Sequence, residues 1–113
     1  DRILLVRHSY NARWNLPGGG FNPKKESPME AGRREVAEEL GIWLRQVSQI
    51  GKYISTLEYK RDNVYCLLAE VDSASVTPGA DIAEYKWFSI DDLPGEVSTA
   101  VKKSIEMLKQ KHS

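Results

Sequence analysis

With 113 residues and 41% apolar content, the chain is long enough for one compact domain with a real core and too short for two. Sixteen Lys and Arg balance sixteen Asp and Glu, which excludes a net field able to hold duplex nucleic acid by counterion release; any phosphate chemistry has to be local. The longest apolar stretches, residues 3–6 and 66–69, fall far short of the roughly 20 residues of a membrane helix. With a lone Cys66 and no signal-like opening segment, a cytoplasmic protein without membrane association is expected.

In chain order, Ile3-Leu4-Leu5-Val6 predicts a buried strand, and Trp14-Asn15-Leu16 predicts a second after a polar loop. Pro17-Gly18-Gly19-Gly20 follows, a loop whose glycines let a ligand approach the main chain. Ser27-Pro28-Met29-Glu30 has the form of a helix start: a hydroxyl cap, proline in the first turn and a carboxylate three residues after the serine. Gly41 supplies the stop, so a helix is predicted over residues 28–40. Residues 49–57 and 63–71 predict two strands joined by a polar connection. A Pro78-Gly79 turn precedes a short strand at residues 85–88, and Ser89-Ile90-Asp91-Asp92 predicts a short helical turn ended by Pro94-Gly95. Val97, Val101, Ile105 and Leu108 recur at the spacing of an amphipathic C-terminal helix.

The helix over residues 28–40 carries the chemistry. At about 100° per residue, Glu35, Glu38 and Glu39 share an arc of about 100°, with Arg34 at its border. Met29, Val36 and Leu40 form a separate stripe able to bury against a sheet. Like charges at these spacings cost a helix roughly 0.2–0.5 kcal/mol per pair, a cost that bound divalent cations would remove. Ala31 and Gly32 leave open space on the preceding turn. An acidic cluster on a helix is usually a solvated face, so the helix alone leaves both readings open. Oxygen ligands without histidine or thiolate favour Mg²⁺ or Mn²⁺ over zinc.

The surrounding residues go further. From Gly20, five residues lead to Glu26, seven more lead to Arg34-Glu35-Val36, and the run ends Ala37-Glu38-Glu39-Leu40-Gly41-Ile42. Residues 20–42 thereby resemble the complete signature of the Nudix hydrolase family. The flanks look similar too: Trp14-Asn15-Leu16-Pro17-Gly18-Gly19-Gly20 before the signature, and Glu84-Tyr85-Lys86-Trp87-Phe88 with Asp92-Leu93-Pro94 after it.

The resemblance implies an α+β fold, an α/β/α sandwich with a mixed β-sheet packed between helices. It also implies one domain over residues 1–113. Family members usually carry one more strand ahead of the one matching residues 3–6, so that first strand is expected to be missing or trimmed, or replaced by a partner element. The reaction implied is Mg²⁺-dependent hydrolysis of a phosphoanhydride bond in a nucleoside diphosphate linked to another moiety, with Mn²⁺ as a substitute. Glu35, Glu38 and Glu39 become catalytic residues and metal ligands, with the Gly19 carbonyl as a further donor. Arg34 and Glu26 become supporting residues through charge-assisted hydrogen bonds; a plain surface ion pair is the alternative. Asp81 and Glu84 are the candidates for an acidic residue outside the signature, and either is equally an ordinary loop charge.

On the substrate side, Tyr10, Trp14, Tyr53, Tyr59 and Trp87 are available to stack on a base. Tyr59 lies where some dinucleoside polyphosphate hydrolases of the family carry a tyrosine. Arg2, Arg7, His8, Arg13, Lys60 and Arg61 are available to phosphates, though solvated positions explain them as well. Arg7, Trp14 and Tyr59 are taken as the substrate-binding candidates, in a monomer or homodimer acting on a nucleotide-like small molecule. Two other readings stand beside the hydrolase. A catalytically silent regulatory domain of the same family would be expected to lose its glutamates. An isoprenoid diphosphate isomerase would need a catalytic cysteine, whereas Cys66 reads as a small buried hydrophobe.

Overall fold

A computed structural model of the chain describes residues 2–56, 61–71 and 75–111. Four strands and two helices follow in the order β1 (Arg2–His8), α1 (Pro28–Leu40), β2 (Ser48–Ser55), β3 (Asp62–Leu68), β4 (Ile82–Ser89) and α2 (Thr99–Lys111). The strands form two antiparallel pairs, β1 with β4 and β2 with β3.

Alternation along β1 sends side chains to opposite faces of the sheet, and each face has its own core. Leu4 and Val6 pack with Leu40, Ile42, Leu44 and Ile82. Leu5 packs with Val101 and Ile105 on the other side. Strand β3 divides in the same way: Leu67 sits against Gly32 of α1, while Cys66 accepts a hydrogen bond from Ser104 Oγ of α2 at 3.3 Å. The result is the expected α+β sandwich, strands between helices. Both strand pairs run antiparallel, and a parallel bridge between Trp14 and Val97 lies outside the named strands. A cavity of about 880 Å³, bordered by Leu4, Val36, Tyr65, Leu67 and Trp87, lies between the two pairs. The Nε1 of Trp87 is buried there with no hydrogen-bond partner.

Helix α1 has the predicted bounds because its ends are built from local chemistry. Ser27 Oγ accepts from Glu30 N at 3.2 Å and Ser27 N donates to Glu30 Oε1 at 3.0 Å, a reciprocal cap. At the other end Gly41 adopts φ 66°, and its N–H returns to the Ala37 carbonyl at 3.0 Å. The last carbonyls are taken by a later loop: Thr77 N donates to Leu40 O and Gly79 N to Glu39 O, both at 2.8 Å.

Other expectations need correction. Residues 14–16 do not form a strand; Asn15 makes one antiparallel bridge to Val6, and Trp14 one parallel bridge to Val97. Pro17 lacks an N–H and restricts Leu16, which ends the pairing, and the Asn15 side chain is diverted to Leu16 N and Ser98 Oγ. Residues 89–92 form a turn, closed by Asp92 N on Ser89 O at 3.0 Å, without continuing into a helix. Strand β3 ends at Leu68, although Ala69 and Val71 still pack on the core. Helix α2 starts at Thr99, so Val97 precedes it while packing on the same core. Pairing of Ser55 with Asp62 fits the predicted hairpin; Leu57, Tyr59 and Lys60 lie outside the described residues. Among the described residues, no helix is long and apolar enough to cross a membrane.

Two outcomes are expected from this architecture. A Cβ added at Gly79 would lie 2.8 Å from the main-chain oxygen of Glu38, so Gly79→Ala forces a backbone shift and should cost about 1–3 kcal/mol by urea denaturation. The Glu30 carboxyl is held below its ordinary value of 4.5, first by the Ser27 backbone N–H and then by the Ser27 hydroxyl. A depressed folded-state value stabilises above the unfolded value and loses that contribution as pH falls through the folded one. Thermal unfolding of wild type and Glu30→Ala should therefore differ at neutral pH and converge below pH 4.5.

Candidate active site

Helix α1 turns its charged face toward a cavity of about 330 Å³ that Glu35, Glu38 and Glu39 line together, within the usual range of small-molecule sites. The glycine loop, residues 18–20, forms a second wall. The end of β1 contributes His8 and Tyr10, and the loop before β4 contributes Gly79 and Asp81. The loop at residues 77–79 is docked on the end of α1, and Ser9 N donates to Asp81 O at 3.0 Å. The main chain of Asp81 is thereby fixed at the cavity.

Each carboxylate has its own donors. Arg34 forks onto Glu26, with Nε to Oε2 and Nη2 to Oε1 both at 2.8 Å. Its remaining nitrogen, Nη1, reaches Glu35 Oε1 at 2.9 Å and Glu38 Oε2 at 3.4 Å. The fork on Glu26, followed by the bond to Glu35, pushes the guanidinium further up from its ordinary value; in return the Arg34 hydrogen bonds hold Glu26 below the usual carboxylate range. Glu39, whose side chain is only 14% exposed, has its Oε1 on Gly18 N and its Oε2 against His8 Nε2, each at 2.8 Å. The main chain of Gly19 is pressed against Glu35: a Cβ there would lie 2.8 Å from Glu35 Oε2. Only glycine leaves room for that approach.

Among the described residues, no three His, Cys, Asp or Glu side chains stand close enough together to hold an ion. The glutamates share one cavity, but their repulsion is relieved separately, by Arg34 for Glu35 and Glu38 and by His8 and Gly18 for Glu39. Arg34 thus takes up like-charge repulsion that the sequence assigned to cations.

The other candidates divide by location. Asp81 lines the cavity and Glu84 does not; Glu84 is opposite Arg7 in the β1–β4 ladder and forms an ion pair with it, Arg7 Nε donating to Oε1 at 2.8 Å. Arg7 is engaged there and does not reach the cavity. Trp14 packs edge-on against Phe88, ring centroids 5.1 Å apart, in the core on the α2 side. Tyr53 lies beneath Lys103 of α2, and Trp87 packs on the α1-side core. Tyr10 is the aromatic residue at the cavity, 75% exposed. Arg2, Arg13 and Arg61 are exposed and do not line it. Tyr59 and Lys60 lie outside the described residues. Cys66 is buried on the α2 side of β3, hydrogen-bonded to Ser104 and away from the acidic face, which removes the geometric basis for a cysteine-dependent isomerase.

Two contributors were not legible as site residues in the sequence. In the sequence His8 is one basic side chain among several, and alternation with Leu4 and Val6 places it on the α1 face. Gly79 read as a simple turn residue, and no local pattern announces that it docks on the Glu39 carbonyl.

Comparison with known proteins bears on the family and the fold. Residues 1–110 match the family profile of the NUDIX domain. A human diphosphoinositol polyphosphate phosphohydrolase 3-beta is 35% identical over 102 residues, covering 81% of this chain and 57% of that protein; the chain spans about half the length of the curated relatives it matches. Among solved structures, the MutT NUDIX hydrolase from Burkholderia pseudomallei superposes with a TM-score of 0.82 at 27% identity, covering 95% of this chain and 88% of that one. The MutT protein from Methanosarcina mazei Go1 gives 0.83, also at 27% identity, with 97% and 84% covered. With the signature complete and the fold shared along nearly the whole chain, this protein belongs to the Nudix hydrolase family.

Proposed function

We propose that the chain is a Mg²⁺-dependent pyrophosphohydrolase, with Mn²⁺ as a substitute ion, that cleaves the phosphoanhydride bond of a nucleoside diphosphate linked to another moiety, and that residues 1–113 act as one domain in doing so. The observation that carries this reading is the gathering of Glu35, Glu38, Glu39 and Asp81 around one cavity that a glycine loop also lines. The named human relative is itself a phosphohydrolase of a diphosphate-bearing small molecule, which supports the same bond type.

By its oxygen chemistry the donor set suits a hard cation, although the three carboxylates would first have to draw closer together than they stand here. Glu35, Glu38 and Glu39 would hold it through carboxylate oxygens, with the Gly19 carbonyl as a further oxygen donor. When bound, the ion supplies positive charge against the diphosphate and makes a water more acidic. The protein's own residues do the rest. Arg34, braced by Glu26, directs Glu35 and Glu38 through charge-assisted hydrogen bonds. The glycine loop lets the diphosphate lie close to the main chain. We assign proton acceptance to Asp81, which lines the cavity with the glutamates, and not to Glu84, which is committed to Arg7. Base stacking falls to Tyr10 at the cavity mouth in place of Trp14, whose ring is packed in the core.

A panel of nucleotide sugars, ADP-ribose, dinucleoside polyphosphates, oxidised nucleoside triphosphates and a diphosphoinositol polyphosphate, assayed for released phosphate or monophosphate, tests the reading. Turnover of at least one member with Mg²⁺ and its loss in EDTA are expected; inactivity throughout, with tight metal-independent ligand binding, replaces it with the silent regulatory domain. Glu39→Gln should lower kcat by at least roughly 100-fold with the circular dichroism spectrum unchanged, since it alters a ligand without removing volume; an undiminished rate refutes the assignment. Asp81→Asn should slow turnover by roughly 100-fold or more while Glu84→Gln leaves kcat unchanged, and equal effects of the two would sink the choice between them.

A further inference from the structure

Strand β1 delivers to the cleft a residue that lies outside the family signature. His8 is 7% exposed, and its Nε2 stands 2.8 Å from Glu39 Oε2. With a carboxylate as the acceptor, Nε2 carries the hydrogen. Three features hold the ring in that direction. Alternation from Leu4 and Val6 puts His8 on the α1 face of the strand. The β1–β4 ladder then changes register: Arg7 is opposite Glu84 but His8 is opposite Ile82, leaving Ala83 as an extra residue on β4. This bulge brings Ile82 back into the core that Leu4 and Val6 share, beside His8; bulges re-aim side chains in this way. Finally, the Tyr10 ring stacks on the imidazole with centroids 5.2 Å apart and planes 28° apart.

The second oxygen of Glu39 is fixed as well, by Gly18 N at 2.8 Å. A carboxylate oxygen has two acceptor directions, so one on each oxygen is spent on a rigid donor and one on each remains.

We infer that His8 is a positioning residue: its Nε2–H and the Gly18 N–H clamp the Glu39 carboxylate in one rotamer, so that its remaining lone pairs are presented to a divalent cation. A glutamate already held in place loses less side-chain freedom when the ion binds. The inference rests on the reading of Glu39 as a cation ligand and adds the residue that prepares it. A histidine that only filled core volume would be replaceable by an apolar side chain of similar size with no effect on ion binding.

The experiment is calorimetric titration of Mn²⁺ into substrate-free wild type, His8→Leu and His8→Gln, with thermal unfolding in EDTA as the fold readout. Leucine keeps the volume and removes the donor, while the glutamine amide reaches the position of Nε2. His8→Leu should bind Mn²⁺ roughly 10–100-fold more weakly, and His8→Gln within about threefold of wild type. If the leucine variant does not fold, His8→Asn, whose amide stops short of Glu39, takes its place with the same criterion. A folded donor-less variant that binds Mn²⁺ like wild type overturns the role of His8 alone, as does a glutamine variant as weak as leucine. Wild type that binds no Mn²⁺ overturns this inference together with the hydrolase reading.

Discussion

Negative charge crowded on one face of α1 is tolerable because Arg34 answers it from within the same helix. The side chains of Glu35 and Glu39 are 17% and 14% exposed, a degree of burial at which an unpaired carboxylate would be costly. Arg34 reaches Glu35 and Glu38 while its other edge is forked onto Glu26, so Glu26 serves to aim the guanidinium. Glu39 lies beyond Arg34 and finds its donors in β1 and the glycine loop. The strand, the loop and the helix therefore meet at these carboxylates.

Features set by neighbouring residues were legible in the sequence. Ser27, Pro28 and Glu30 begin α1, and Gly41 ends it, through bonds that span no more than a few positions. The spacing of Glu35, Glu38 and Glu39 likewise puts them on one face whatever the helix packs against. Features set by distant contacts were not. Asp81 and Glu84 are three positions apart, one just before β4 and one inside it; the β1–β4 register sets Glu84 opposite Arg7, while Asp81 lies beyond the bulge at Ala83 and lines the cleft. Trp14 and Leu16 have strand-like chemistry, but with Pro17 following and the Asn15 side chain diverted, pairing in this stretch stops at one bridge each from Trp14 and Asn15. For His8 the signal was present in its phase with Leu4 and Val6, and it needed only the knowledge that this face would pack on α1.

The sandwich also separates kinds of work between its two faces. On the α1 side, β1 and the neighbouring loops bring charged and polar groups to a cavity. On the α2 side, Leu5, Val101 and Ile105 form an apolar core, with the Ser104–Cys66 hydrogen bond at its edge. A single strand serves both, since consecutive residues of β1 point in opposite directions. That division explains why Cys66, chemically the most reactive side chain in the sequence, takes no part in the site.

The loop at residues 77–79 borrows its anchorage from the last carbonyls of α1. The loop that leads to Asp81 and the helix that carries the glutamates are therefore joined through main-chain bonds. Tyr10, by contrast, stands 75% exposed at the rim and is held there through ring stacking on His8. On the proposed reading, substrates of differing bulk would be accommodated at the rim while the main-chain frame beneath the acidic residues stays the same, so selectivity would be free to diverge from the chemistry.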